Sequence, residues 1–551
     1  MDPVKTSRHS AIHYLIILAA GLLAHGMLLL NDGSYADGWF LGYLIKLGQW
    51  DRIKDIFYWL GYPIYYWLQL LIGQASIFTF RILSLTWILL TALLQYKILT
   101  RFTPLTQRQS LFLAIFALVW PFYHMLVWSI FATGMIFPVL FYAGWYNYLC
   151  LKEKKRNSLL YIPSLILIFL SFSYPVFLTY NYAFLAAYGL STLGYSIKFQ
   201  AGEFKRELFA FLKCNWVLAI LPIVFFYFKT TLYPVSIPYN KINLFSFKTL
   251  FSIIKNIFRF ITEPVLSIIY SIPTFWFVLI PGLLVVFFVS LKYLKRNPDL
   301  EDQKYALGMI GVGLIFIVTL SITYGVVGKT LKIMSVKSRY GFAANLGYSL
   351  FFLGGIHWLF NKYWVHKKPL IKPILFLMLV AMILVNTNLY AMWQAKWART
   401  VSIIHNLERS KPVPKASIYF LKDDFPLGVD TREYTSDFTF MLIEAWGQNQ
   451  FVGITPHYQG KQTRTQAARE IIGRLEDKSL RIHTIIEDFN RKGCLAEVVV
   501  SPKKYHQQVL IGFRYLYYRL LKPQQMSQFL EDLTEVKLRP LHINAWDQPC
   551  S

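Results

Sequence analysis

The sequence predicts a polytopic α-helical membrane protein with a small α/β or α+β domain at its C-terminal end. Three observations predict it. The 551-residue chain is 55% hydrophobic and 18% aromatic but only 15% charged, where soluble domains carry about 25% charged residues. Apolar runs near the length of about 20 residues that a membrane-spanning helix needs recur eleven times, at 11–30, 79–97, 109–123, 128–149, 158–174, 176–194, 213–228, 265–291, 305–323, 340–360 and 372–392. The loops between them alternate in charge.

The first run has no small-residue cleavage site behind it and reads as a retained span. The fifth and sixth runs are separated only by Tyr174-Pro175. Loop charge then sets orientation, because Lys and Arg collect on the cytoplasmic side. "YKILTRFTPLTQR", "LKEKKRN", "YSIKFQAGEFKRELFAFLK", "LKYLKRNPDLEDQK" and "NKYWVHKKPLIK" are all basic, whereas "PFYHMLVW" and "SYP" contain no Lys or Arg. That register puts the N-terminus, with Lys5 and Arg8, in the cytoplasm. It puts loop 31–78 and everything after residue 393 outside, at the cell membrane. Much of the net charge of +27 is therefore topological and implies no nucleic acid partner.

Four elements face outward. In loop 31–78, "WFLGYLIKLGQW" and "DIFYWLGYPIYYWLQLLIGQ" read as aromatic amphipathic helices lying in the membrane interface. Residues 229–264 are basic and aromatic with apolar residues at helical spacing, and Lys255 and Arg259 share a face suited to lipid headgroups. Residues 324–339, "YGVVGKTLKIMSVKSR", concentrate cations. The last element, 394–551, is long enough for a core of its own, which divides the chain into a membrane domain (1–393) and a soluble domain (394–551). "ASIYFL" and "LAEVVVS" read as buried strands, "TQAAREIIGRLED" and "QQMSQFLEDLTEV" as helices. Asp423-Asp424 follows a strand, where α/β sheets build sites, although two acids in such a loop are more often a solvated turn. Cys150 and Cys214 read as structural thiols; Cys494 and Cys550 share the outer domain, where a disulfide persists. No Asn-x-Ser/Thr sequon occurs.

Ionisable residues are sparse within the runs, with His25, Arg81, His124 and His357 near ends or in aromatic surroundings. No relay of acids and bases crosses the membrane as proton-coupled transport would need. The acids collect instead just past the first run, in "LLLNDGSYADGWFLGYL" (28–44). Transfer chemistry on an outer face has no ATP and needs a donor already activated in the membrane. A sugar on a polyprenyl phosphate meets that need, with an apolar groove for its tail, cations for its phosphate and a carboxylate base for the acceptor hydroxyl. Asp32 and Asp37 are the candidate bases. Lys329, Lys332, Lys337 and Arg339 are candidates for the phosphate, which the planar Arg fork binds bidentately, and Tyr340 supplies a hydroxyl. Against these stand plain structural readings: Asn31-Asp32-Gly33-Ser34 as a helix cap, Arg339 as an interfacial anchor, and Glu263 before Pro264 as another cap.

The pattern resembles the GT-C superfamily of membrane glycosyltransferases in its first span from the cytoplasm, acids opening a long outer loop with interfacial helices, many spans and an outer C-terminal domain. "NDGSYAD" is similar to the "DE-x-x-Y-A-E" stretch of bacterial lipid A aminoarabinose transferases, with Asn31 departing from the first acid. "ADGWFLGYL" is similar to the Asp-Asp-Gly-aromatic stretch of mycobacterial arabinosyltransferases, which makes Asp37 the base. The two registers disagree, so both acids stand, Asp37 ahead of Asp32. The resemblance implies an inverting glycosyltransferase using a polyprenyl-phosphate sugar, with a glycan, lipid or protein acceptor, membrane lipids around it and no required cofactor, a divalent metal being possible but not indicated. The alternatives are a transporter or flippase of a lipid-linked glycan, and a ligase or polymerase moving oligosaccharide.

Overall fold

A computed structural model describes residues 3–35, 37–59, 63–128, 133–154, 156, 158–193, 201–232, 251–271, 303–333, 336–363, 371–425, 435–456, 462–476, 486, 489–490 and 493–541. α1 (Pro3–His25) tightens into a 3-10 turn to Leu30. Three helices of ten residues follow, α2 (Asp37–Lys46), α3 (Trp50–Trp59) and α4 (Pro63–Ile72). Each is too short to cross a bilayer. α5 (Ile77–Phe102) is capped by Ser76, and α6 (Gln107–Val119) opens on a Thr106–Gln109 capping box, so polar caps fix where both helices begin.

α7 (Ile136–Glu153), α8 (Ile162–Ser171), α9 (Val176–Leu193) and α10 (Ala201–Leu232) continue the bundle. The break at Phe172–Pro175 keeps α8 and α9 separate. α10 kinks at Asn215, whose side chain accepts from Lys152 Nζ at 2.6 Å and from Tyr148. α11 (251–271), α12 (Gln303–Gly325), α13 (Asn345–Tyr363) and α14 (Ile371–Glu408) complete it.

Five helices among the described residues are long and apolar enough to span a membrane, through the stretches Ala11–Leu30, Ile77–Phe102, Lys205–Leu232, Tyr305–Gly325 and Pro373–Glu408. This is fewer than the eleven expected. α6 and α8 are apolar but shorter. In α7, α9 and α13, Tyr, Asn and Gly dilute the apolar residues, and much of α7 and α13 is buried against other helices rather than facing outward. The run expected at 265–291 lies mostly outside the described residues.

α14 does not stop at residue 393. It runs 38 residues, about 57 Å at 1.5 Å per residue against a hydrocarbon core of about 30 Å, so the division expected at 393/394 falls inside one continuous helix. Beyond it, β1 (Ala416–Asp423), α15 (Thr435–Trp446), β2 (Val452–Ile454), α16 (Arg464–Glu476), β3 (Cys494–Pro502), α17 (Gln508–Leu521), α18 (Met526–Leu533) and β4 (Thr534–Pro540) form an α/β tail. Strand order is β2-β1-β3-β4, parallel except for β4. The helix expected through Val536 ends at Leu533, and the chain turns there into the edge strand.

Ile403, Ile404 and Leu407 of α14 join α15 in the core on one sheet face, and α16 covers the other. Burying each such side chain stabilises by about 1.5–3 kcal/mol, so the last spanning helix is also a core helix of the tail. Cys494 is disulfide-bonded and Cys150 and Cys214 are free; Cys550 lies outside the described residues.

α17 crosses α14 so closely that a Cβ on Gly512 would lie 2.0 Å from the Ala391 carbonyl oxygen. Gly512→Ala is therefore expected to lower stability by about 1–3 kcal/mol, read as a lower melting temperature in detergent. Gly355→Ala, with nothing within 4 Å of the added methyl, is expected to leave it unchanged or slightly raised. Equal melting of the two variants would contradict the close crossing.

Candidate active site

The loop after α1 is shaped by a buried cation. Arg81, one turn into α5, is fully buried. Its guanidinium donates to the carbonyl oxygens of Asn31 (3.0 Å), Gly33 (2.6 Å) and Leu126 (3.1 Å), and more weakly to Asn31 Oδ1 (3.4 Å). Asn31 Oδ1 also accepts from Gly33 N, and its amide donates to the Tyr35 hydroxyl at 3.1 Å. Asn31 thus uses both ends of its amide, and a carboxylate there would lack the donor. Tyr35 folds back over Gly33, where a Cβ would meet its hydroxyl at 2.4 Å, and donates to the Trp393 carbonyl at 2.8 Å. Burial, above all, holds the Tyr35 hydroxyl well above its ordinary pKa, so it stays a donor.

Asp32 points away from this node, toward the tail. Its Oδ1 accepts from Gln394 (3.0 Å) and pairs with Arg519 (2.5 Å), and its Oδ2 accepts from the Tyr515 hydroxyl (3.1 Å). Arg519 also donates to the Leu30 carbonyl at 2.8 Å. Burial first, and then the neighbouring Asp32 charge, raises the Tyr515 pKa and keeps its proton in place. Both carboxylate oxygens of Asp32 are therefore engaged in fastening the tail to the first loop.

Asp37 is the first residue of α2; its side chain lies outside the described residues. The start of α2 is tied back by Gly38 N to Tyr35 O at 2.9 Å. Ser34, Gly38, Gly42, Tyr43 and Lys46 line one wall of a cleft of about 140 Å³, and Phe440, Ile443 and Glu444 of α15 line the other. The Tyr43 hydroxyl donates to Asn449 Oδ1 at 3.0 Å, fixing the far end.

The cation-rich segment is held from two sides. Asn256, Arg259 and Glu263 occupy one face of α11 and bind the backbone of 329–333. Asn256 Nδ2 donates to Lys329 O (2.8 Å) and its Oδ1 accepts from Leu331 N (3.1 Å). Arg259 donates to Leu331 O (3.0 Å), and Glu263 accepts from Ile333 N (3.0 Å). Arg259 is therefore a clamp on this segment rather than the headgroup contact expected, while Lys255 stays exposed. From the other side, His124 Nε2 donates to Ile333 O at 2.7 Å, and its Nδ1 accepts from the Trp393 indole at 2.9 Å. These partners fix the neutral tautomer.

Past the clamp, the Arg339 guanidinium lies over the Tyr340 ring at 5.2 Å and donates to its hydroxyl at 3.3 Å. Tyr340 packs on Tyr324. Half-buried Lys329 is near enough for Arg339 to lower its pKa, although burial is the larger cause and Tyr340 acts in the opposite sense. Lys332 and Lys337 are exposed. Lys329, Arg339 and Tyr340 thus come together. Arg339 lines a pocket with Phe122, Leu126, Met135, Tyr174 and Phe342 that is narrowed to about 20 Å³, room for about one water. Leu126 belongs to this pocket while its carbonyl receives Arg81, so the acid loop and the cation cluster meet across Tyr123–Val127.

At the strand ends of the tail, Asp423 pairs with fully buried Arg399 of α14 at 2.5 Å and accepts from Phe425 N. The position where α/β sheets build sites is filled by a structural ion pair. Among the described residues no three of His, Cys, Asp and Glu gather as a metal ion would require.

Arg81→Met would strand three buried carbonyls and is expected to destabilise by about 3–5 kcal/mol, read from the midpoint of unfolding by SDS. Arg519→Met removes a pair whose Asp32 side chain is 39% exposed, and is expected to cost about 1 kcal/mol or less, shrinking further in high salt. A cost for Arg519→Met that equals or exceeds that of Arg81→Met would overturn this ranking.

Compared with known proteins, the chain matches no family model and no curated protein sequence.

Proposed function

We propose that the protein is an inverting membrane glycosyltransferase of the GT-C kind, using a polyprenyl-phosphate sugar on the tail-bearing side. By the loop charges, that side is extracytoplasmic. One observation carries the reading. Arg339, with Lys329 and Tyr340 beside it, lines a pocket formed by the Tyr123–Leu126 segment, and the Leu126 carbonyl of that segment receives Arg81 from the acid-loop side.

The roles follow from the contacts of Asp32 and from where the cations sit. Asp32 is committed to Arg519, Tyr515 and Gln394, so we assign the base to Asp37 and make Asp32 a positioning residue. Arg339, Lys329 and Tyr340 take the donor phosphate, for which the narrow pocket must widen; exposed Lys332 and Lys337 attract it to the surface. The acceptor lies in the cleft between α2 and α15. Its hydroxyl oxygen attacks the anomeric carbon as the bond to the phosphate oxygen breaks. The proton passes to Asp37, and polyprenyl phosphate leaves with the bonding electrons.

The test uses purified protein in nanodiscs with a panel of radiolabelled polyprenyl-phosphate sugars, reading lipid phosphate release and donor binding. Wild type is expected to turn over one donor, and Asp37→Asn to lose about 10²–10⁴-fold in rate with donor binding kept. Arg339→Ala is expected to weaken donor binding about tenfold or more, as loss of a charged hydrogen bond of about 1.5–3 kcal/mol implies. A greater rate loss in Asp32→Asn than in Asp37→Asn would reverse the assignment of the base. Donor binding without turnover, unchanged in both Asp variants, would favour a flippase.

A further inference from the structure

α17 packs one face against α14 and leaves the other apolar and uncovered. Val509, Ile511, Gly512, Tyr515 and Leu516 are buried. Leu510, Phe513, Tyr517, Leu520 and Leu521 are between 36% and 70% exposed. With 3.6 residues per turn these five side chains fall within one arc of about 100°. Scattered exposed apolar residues are ordinary; a continuous row marks a contact surface.

The position of the helix says what the contact is. At its start, Gln508 Nε2 donates to the Met392 carbonyl, 3.5 Å away, and Gly512 abuts Ala391. Near its end, Arg519 donates to the carbonyl of Leu30, the last residue of the first spanning stretch. Met392 closes the last apolar run of the sequence. Both ends of α17 therefore meet the end of an apolar run, Met392 for the last and Leu30 for the first, and the helix lies between these two points.

The first span that it meets at Leu30 is apolar outward too, with Leu22, Leu23 and Leu30 exposed. Cations rim the row. Exposed Arg514 sits at its edge with the guanidinium over Tyr505 at 4.6 Å, and Lys522 follows the last turn with its ammonium over Tyr517 at 5.7 Å. An apolar stripe edged by cations and tyrosines is the composition of an interfacial helix.

We propose that α17 is such a helix, so that the tail lies partly sunk in the lipid leaflet on its own side. Leu510, Phe513, Tyr517, Leu520 and Leu521 contact acyl chains, and Arg514 and Lys522 contact lipid phosphates. The inference is independent of any transferase activity.

The test places nitroxide labels on single cysteines, Phe513→Cys, Tyr517→Cys and Leu520→Cys, in the full chain carrying Cys150→Ser and Cys214→Ser. These positions already face outward, so the labels leave the packing on α14 intact. Arg469→Cys, at an exposed position of α16, is the control. In phosphatidylcholine–phosphatidylglycerol nanodiscs, the ratio of oxygen to nickel-chelate collision is expected to be several-fold higher at the three α17 positions than at position 469. A ratio equal to that of the control would overturn the proposal. So would shielding from both reagents with spin–spin broadening, which would mean a second copy of the chain covers the row.

Discussion

The buried guanidinium of Arg81 is the constraint from which the arrangement of this end of the molecule follows. Its hydrogen bonds go to carbonyl and amide oxygens, three of them backbone, from two separate segments. A buried cation left without them costs several kcal/mol, so the first loop cannot relax independently of Leu126. That fixes Asn31, makes room for glycine alone at position 33, and aims Tyr35 at Trp393. Trp393 in turn holds His124, which holds Ile333, which Glu263 grips from behind. One run of hydrogen bonds therefore joins the loop of acids to the loop of cations through four elements of the bundle.

The second constraint is that α14 has no hinge. Between Pro373 and Pro412 it contains neither Gly nor Pro, and its far half is packed into the tail on Ile403, Ile404 and Leu407. The sheet is thus tied to the membrane region by an uninterrupted rod, by Arg399–Asp423 at one point, and by Asp32 with Tyr515 and Arg519 at another. The tail cannot swing without breaking an ion pair. Both carboxylate oxygens of Asp32 are occupied in these contacts, which is why the proposed function gives it a positioning role.

Much of this was legible in the sequence, and the omissions share a cause. The helices of the first loop, the two central strands and the helix at Arg464–Glu476 follow from periodicity, composition and breakers. The inner helices are legible as helices and read as spans, yet with their Tyr, Asn and Gly content α7, α9 and α13 are not among the five described helices long and apolar enough to cross a membrane. Arg81 shows in the sequence as a charge near a span end, yet backbone carbonyls carry no letter, so its partners could not be read. The end of α14 was placed where Gln394, Lys396 and Arg399 lower the hydropathy, although the first helix breaker comes only at Pro412. α17 escapes because "QVLIGFRYLYYRLL" is apolar both on the face packed against α14 and on the face left uncovered, so neither face is marked out as core by a polar opposite. Asp32 and Tyr515 are separated by 483 residues, a pairing no local pattern reveals.

The walls of the cleft between α2 and α15 draw these points together. α2 is anchored at its first turn to Tyr35 and near its end to Asn449; α15 rests on a sheet that α14 holds in place. Neither wall is a free loop. On the proposed chemistry a lipid-borne donor and an acceptor arrive separately and must be aligned at one acid, and alignment of two reactants lowers a barrier by several kcal/mol when the groups that hold them are fixed. On the proposed assignment Asp32 serves that alignment as a positioning residue, holding α17 and α14 to the loop that leads into α2.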